Sequence, residues 1–451
     1  MDTALRHTAD RARRYLDNLP TRRVAPTPEA IRALTGLDEP LPEQPAPPDE
    51  VITLLDELGS PATVASAGGR YFGFVTGGSL PAAMAANWLA AAWDQNAALG
   101  VMSPVAEKLE QVSSRWLVDL LGLPTETVVG FVTGATMANF TGLAAARHTI
   151  LEKQGWNVET SGLFGAPEIK VVVGDEVHAS LLKALGMLGL GRERVFRVPA
   201  DAQGRMRADA LPPLDERTLV CIQAGNVNTG TFDPAEEICV AAKKAGAWVH
   251  VDGAFGLWAL ACPPRAHLAR GVPDADSWAT DAHKWLNVPY DSGLAFCRHP
   301  DTIRAAMTVL APYLLPGAKP EPSHYTPEMS RRARGIEIWA ALKSLGQAGL
   351  AEMFERNCQL ATRFAEGLRA AGYTVLNEVV LNQVLVSFGD AETTNRFIAR
   401  IQEEGTFWAG GTVWQGHTAM RISVSSWATT EADVDRCLEA VARIIIEMVH
   451  R

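Results

Sequence analysis

The 451-residue sequence contains no apolar run long enough for a bilayer, no basic block, no paired cysteines and no low-complexity tract. The longest apolar stretch, Leu80 to Trp93, is shorter than the ~20 residues a membrane helix needs and is interrupted by Asn87. It predicts a buried helix. The first residues, MDTALRHTADRARRYLDNLP, scatter charges where a signal peptide would be continuously apolar, so a cytoplasmic protein is expected. Cys221, Cys239, Cys262, Cys297, Cys358 and Cys437 form no CxxC pair, which excludes a zinc knuckle or a disulfide framework, and no metal site is expected. A net charge of −10 without a basic cluster makes nucleic acid and anionic membranes poor partners.

What is present is a large globular chain, 47% hydrophobic and 20% charged. Residues 1 to 19 have helical spacing, with Leu5, Ala9, Ala12 and Leu16 on one side, and eight prolines between Pro20 and Pro48 follow. This arm must dock on its own body or on a second subunit. From about 100 to 300, short β-rich runs alternate with helical ones. The runs are VVGFVT (128–133), IKVVVG (169–174), TLVCIQA (218–224), AWVHVDG (247–253), DSWATDA (276–282) and GLAFCRH (293–299). Such a rhythm predicts an α/β body with a mostly parallel sheet flanked by helices, whose ligands bind beyond the carboxyl ends of the strands. From about 330 the pattern changes to long helices and short strands around 375–388 and 419–424, a smaller α+β domain. The expected division is 1–55, 56–325 and 326–451, with the last boundary in the Pro/Gly-rich YLLPGAKPEPSHYTP.

The segment SWATDAHKWLNVPYDSG places Lys284 at the end of an apolar strand. An ammonium there is costly unless paired or neutralised, and imine formation neutralises it and makes the lysine a carbonyl carrier. A lysine taken alone would more often lie on the surface. Asp252 ends AWVHVDG, where a buried carboxylate calls for a cation such as a protonated pyridine nitrogen; a turn-capping aspartate is the plainer alternative. His250, two residues earlier, shares its face and reads as a satisfied core histidine. Thr133-Gly134-Ala135-Thr136 joins a strand to an alanine-rich helix, which suits a phosphate. His178 follows IKVVVGDEV, where an imidazole can lie over a ring. Together these residues predict an enzyme that carries pyridoxal phosphate (PLP) and breaks a bond at the α-carbon of an amino acid.

The same elements resemble the group II PLP decarboxylases, the family of aromatic amino acid decarboxylases, glutamate decarboxylase and sphingosine-phosphate lyase. The likeness runs through RYFGF (70–74), SPVAEKLE (103–110), TGATMAN (133–139), DEVHASLLKA (175–184), QAGNVNTGTFDP (223–234), HVDGAFG (250–256), DSWATDAHKWLN (276–287) and MSRRARGIEIW (329–339). It implies fold type I of the PLP enzymes, with Lys284 bearing the cofactor, Asp252 on the pyridine nitrogen and His178 stacked on the ring. Ala135 and Thr136 beside Gly134, with His283, would hold the phosphate. Ala254 would pack beneath the ring and Asn226 would approach the cofactor's hydroxyl. A homodimer with swapped arms and shared sites is implied as well. Family likeness favours loss of CO2 to give an amine; aldehyde synthesis, retro-aldol cleavage, transamination and a silent scaffold stay open. Tyr71, Phe72, Phe74, Trp93 and Tyr290 are candidates to contact an aromatic or bulky apolar side chain, and Arg421 to clamp a carboxylate. The family's animal and plant aromatic decarboxylases have a long mobile loop with a tyrosine that protonates the carbanion; here the stretch before Ser330 is short, and Tyr325, with His324 beside it, is the candidate for that role.

Overall fold

Strands form where the sequence runs apolar and β-branched for a few residues, and seven of them assemble into one sheet. The computed structural model describes residues 2–309 and 319–449. The seven strands are β1 (Val128–Val132), β2 (Lys170–Gly174), β3 (Val195–Val198), β4 (Thr218–Gln223), β5 (Trp248–Asp252), β6 (Ser277–Asp281) and β7 (Gly293–Cys297). Their order is β1-β7-β6-β5-β4-β2-β3. Pairing is parallel except where β7 meets β1 and β6, so six strands run one way and β7 against them. The carboxyl ends of the six therefore share an edge with the start of β7. Strands buried on both faces read as continuous apolar runs, as β4 and β5 do. Six expected strands are present; β3 was not foreseen, a short run with two of its four residues exposed.

Behind β1 and β6 lies the helix Ala135–Lys153, whose Ala138 and Leu143 to Ala146 are buried. Small side chains bring it close to the sheet, and a Cβ on Gly142 would fall 2.7 Å from the His250 ring. Val171 and Val173 of β2 are fully or almost fully buried in the adjoining core, each contributing about 1.5–3 kcal/mol. The helix Pro81–Trp93 departs from expectation. Only its Ala83 and Ala90 are buried, while Trp88, Leu89 and Trp93 are exposed on the single chain.

The chain packs as two compact units: Ser79–Gln359 with Asn377–Gln383, which holds the seven-stranded sheet, and Met1–Gly78 with Leu360–Leu376 and Val384–Arg451. The divisions read from sequence lay at 55/56 and 325/326, and part of the stretch chosen for the second, residues 310–318, lies outside the described residues. The unit that includes the termini carries a four-stranded sheet of β8 (Thr374–Val375), β9 (Gln383–Ser387), β10 (Gly410–Trp414) and β11 (His417–Ser423), in the order β10-β11-β9-β8. In the same unit the N-terminal helix Asp2–Asn18 joins the helix Pro48–Ala62 through polar groups. Arg11 reaches Asp56 and Thr53 at 2.8 Å each, and the Tyr15 hydroxyl lies 2.8 Å from that of Thr63. Leu5, Leu54 and Leu55 are left exposed.

Candidate active site

β6 ends on Asp281, and the turn after it carries His283 and Lys284. Lys284 Nζ lies 3.0 Å from Asp281 Oδ2, with 17% of the lysine side chain exposed against 4% for the aspartate. The other carboxylate oxygen accepts the backbone N–H of Ala135 at 2.5 Å and lies 3.4 Å from His283 Nε2. His283 Nδ1 accepts the Ser292 N–H at 3.1 Å, so the neutral ring carries its proton on Nε2, toward Asp281. Burial lowers the His283 pKa, with Asp281 opposing. Tyr290 stacks on this imidazole, centroids 4.2 Å apart.

Two glycines allow this crowding. Gly293 pairs with both Val132 and Asp281, and a Cβ there would fall 2.4 Å from the Gly134 Cα. A Cβ on Gly134 would meet Asp281 Oδ1 and His283 Cε1, both at 3.1 Å. The helix Ala135–Lys153 thus starts directly over Asp281, and Gly134 supplies no side-chain cap.

Asp252 closes β5, one strand away, opposite Ala279 of β6. It is buried, Oδ1 accepting from the Ala254 N–H at 3.3 Å and Oδ2 from Asn139 Nδ2 at 3.2 Å. Burial raises its pKa, while the charges of His178 and Lys284 and the Asn139 bond oppose this and Asp281 adds to it. His178 begins the helix Ala179–Met187, its Nδ1 accepting the Ser180 N–H at 3.2 Å and lying 2.7 Å from the Ser180 hydroxyl. Those bonds set the plane of the ring.

Lys284, Asp252, His178, His283, Gly134, Ala135 and Ala254 are thus gathered at one sheet edge, and Thr136 follows Ala135 in the same helix start. Asn226 caps its own turn, its Oδ1 accepting from Asn228 N at 2.9 Å and Thr229 N at 3.2 Å. Tyr325 ends a separate turn, Pro322–Tyr325. It packs with the core around Ile303, and its carbonyl lies where a Cβ on Gly130, in mid-β1, would fall at 2.1 Å. Its turn is anchored by Gly100 N–H to Glu321 at 2.7 Å and Ser323 N–H to the Ala98 carbonyl at 3.0 Å. It does not join the Lys284 cluster. Phe72 is corrected: it is fully buried against Phe364 and Phe407, a core residue. Tyr71 and Phe74 flank Trp408 with centroids at 5.1 and 5.5 Å, and Arg421 sits on β11, all in the unit that includes the termini. Phe74 is 62% exposed with φ 53°, a left-handed backbone that costs energy outside glycine. Asp281 and Asn139 were not singled out from sequence, though both lie in segments that carried the resemblance.

PLP requires an amine, an anion for its ring nitrogen, a flat group over its ring and a cradle for its phosphate. The residues fit. Asp252 is a buried carboxylate using two of its roughly four acceptor directions, and both bonds are long. At the helix start, the Ala135 N–H is held by Asp281 in this structure. The profile of the pyridoxal-dependent decarboxylase conserved domain matches residues 28–389. The chain belongs to that family. It is a PLP-dependent amino acid decarboxylase of fold type I. Curated relatives include an aromatic-L-amino-acid decarboxylase of Bacillus atrophaeus, 25% identical over 77% of this chain and 73% of the relative. Tryptophan decarboxylase 1 of Oryza sativa is 26% identical over 91% and 86%. Among solved structures, Oryza sativa TDC with PLP and tryptamine superposes with a TM-score of 0.90 at 22% identity, covering 99% of this chain and 98% of that one. Mouse CSAD gives 0.87 at 20%, covering 97% and 98%. These two likenesses establish the fold.

Proposed function

We propose that this decarboxylase acts on an aromatic L-amino acid, with Lys284 carrying the cofactor, Asp252 facing its ring nitrogen and His178 covering its ring. The observation that carries the reading is the convergence of Lys284, His178 and the buried Asp252 at one sheet edge, where both side chains act on the carboxylate. When bound, PLP accepts the electron pair left at the α-carbon as CO2 departs. Asp252 holds the proton on the ring nitrogen, His178 is kept flat by Ser180, and Asp281 directs Lys284 Nζ and balances its charge. One proton is taken up for each CO2 released, so amine and CO2 form in equal amounts. The relatives named for aromatic substrates support the substrate class, as does Tyr290, 60% exposed beside His283. The working form is a cytoplasmic homodimer, for which the exposed apolar residues of the single chain argue.

The test supplies the PLP-loaded protein with L-tryptophan, L-tyrosine, L-phenylalanine or L-glutamate and measures CO2 and amine. Equal amounts from an aromatic substrate and none from glutamate are expected. Aldehyde in place of amine would overturn the reaction, and turnover of glutamate alone would overturn the substrate class.

A further inference from the structure

Behind Asp252 runs a buried chain of four side chains with no function so far. Trp248 Nε1 donates to Ser277 Oγ at 3.0 Å, and Ser277 Oγ lies 2.8 Å from His250 Nδ1. His250 Nε2 lies 2.8 Å from Asn139 Oδ1, and Asn139 Nδ2 donates to Asp252 Oδ2 at 3.2 Å. His250, Asn139 and Ser277 are fully buried, and Trp248 is nearly so. Gly142 makes room for the His250 ring.

An ionised Asp252 dictates the direction of the bonds along this chain. An indole N–H only donates, so the Ser277 oxygen accepts from it through one lone pair, and its hydroxyl hydrogen and second lone pair leave it able to donate to His250 Nδ1 or to accept from it. An ionised Asp252 only accepts, so the Asn139 amino group faces it and the amide carbonyl faces His250. Nε2 of His250 must then donate. Nδ1 is then the acceptor, and the Ser277 hydroxyl donates to it, so the chain runs in one direction. A protonated Asp252 donating to Asn139 would flip the amide and give His250 its proton on Nδ1. The Ser277 oxygen would then face two N–H donors, and its own hydrogen would be turned away from the ring.

We infer that Asn139, His250 and Ser277 are positioning residues that hold Asp252 as an oriented anion toward the cofactor's ring nitrogen. They act through Asp252 and touch no substrate. The inference rests on the reading that Asp252 meets that nitrogen. It assigns work to His250, read from sequence as a satisfied core histidine, and to the TGATMAN segment beyond its helix-start residues.

The test compares affinity for PLP with affinity for 1-deazapyridoxal phosphate, which has carbon in place of the ring nitrogen, by fluorescence titration of the cofactor-free protein. Asn139→Leu and Ser277→Ala should each weaken PLP binding tenfold or more while leaving the deaza analogue within twofold. Asp252→Ala is the control; if it spares PLP affinity, the assignment of Asp252 fails, whereas loss there with unchanged PLP affinity in both array variants defeats this inference alone. Equal loss of both ligands would mean a merely structural role and would also overturn it. Should the variants not fold, nitrogen-15 NMR of histidine-labelled wild type decides. A pH-independent Nε2–H signal for His250 between pH 5 and 8 is expected, and the Nδ1–H form would contradict the array.

Discussion

Lys284 and Asp252 lie in a mostly buried place, and each is made tolerable there by its neighbours, Asp281 beside the lysine and Asn139 and the Ala254 N–H on the aspartate. Replacing Asp252 with Asn keeps the shape and removes the charge that would face the ring nitrogen. Losing one partner of a buried charged pair costs about 3–5 kcal/mol, so kcat/KM should fall by roughly two to four orders of magnitude in steady-state assays while Lys284 still binds PLP. His250 gives a prediction about pH. Burial depresses its pKa to about 3, whereas the unfolded chain takes up that proton near the ordinary value of about 6.5. Below that value the unfolded state binds a proton the folded state refuses, so stability falls as pH drops from 6.5 toward 3, by at most ~1.4 kcal/mol per unit. Urea titrations at several pH values should show a steeper fall in wild type than in His250→Gln, since His283, also lowered by burial, is common to both proteins. Asp233, raised to about 6 by burial, acts in the opposite sense and is common to both proteins.

At the scale of elements, two segments that carried the family likeness are joined to each other. Arg331 of MSRRARGIEIW meets Glu110 of SPVAEKLE through two bonds of 2.7 and 2.8 Å, with both groups buried. Arg332 reaches Glu337 at 2.9 Å and Arg334 reaches Asp291 at 2.8 Å. Burial raises the Glu110 pKa and Arg331 opposes it. Arg331→Ala should therefore cost about 3–5 kcal/mol in chemical denaturation, while the double replacement Glu110→Leu, Arg331→Met should recover most of that loss. The strand ends were legible in sequence because each apolar run stops on a polar residue, which is how Asp252, His178 and Lys284 could be named. Asp281 ends its strand in the same way, but without the helix start that it contacts it reads as one more polar terminus. Asn139 was hidden inside an alanine-rich helix, where no periodicity marks a residue that faces a carboxylate. Tyr325 could not be placed from spacing, since Gly100 and Ala98, far back in the chain, decide where its turn is tied.

For the whole molecule, the single chain leaves large apolar groups in water. Val101 is 86% exposed and Trp88 45%, and the N-terminal helix leaves Leu5 at 65%. We propose that a second subunit covers these side chains. Sedimentation should give twice the chain mass of 48.5 kDa, and Val101→Glu with Trp88→Glu should shift the protein toward monomer and lower activity with it. A monomeric wild type with full activity would contradict the shared-site dimer. The central claim is that Lys284 carries the cofactor. Borohydride reduction of the PLP-loaded protein followed by peptide mass spectrometry tests it most directly: the account predicts loss of the yellow colour and a pyridoxyl group on the peptide containing Lys284, absent from Lys284→Ala. A colourless protein, or a label fixed on another lysine, would contradict it.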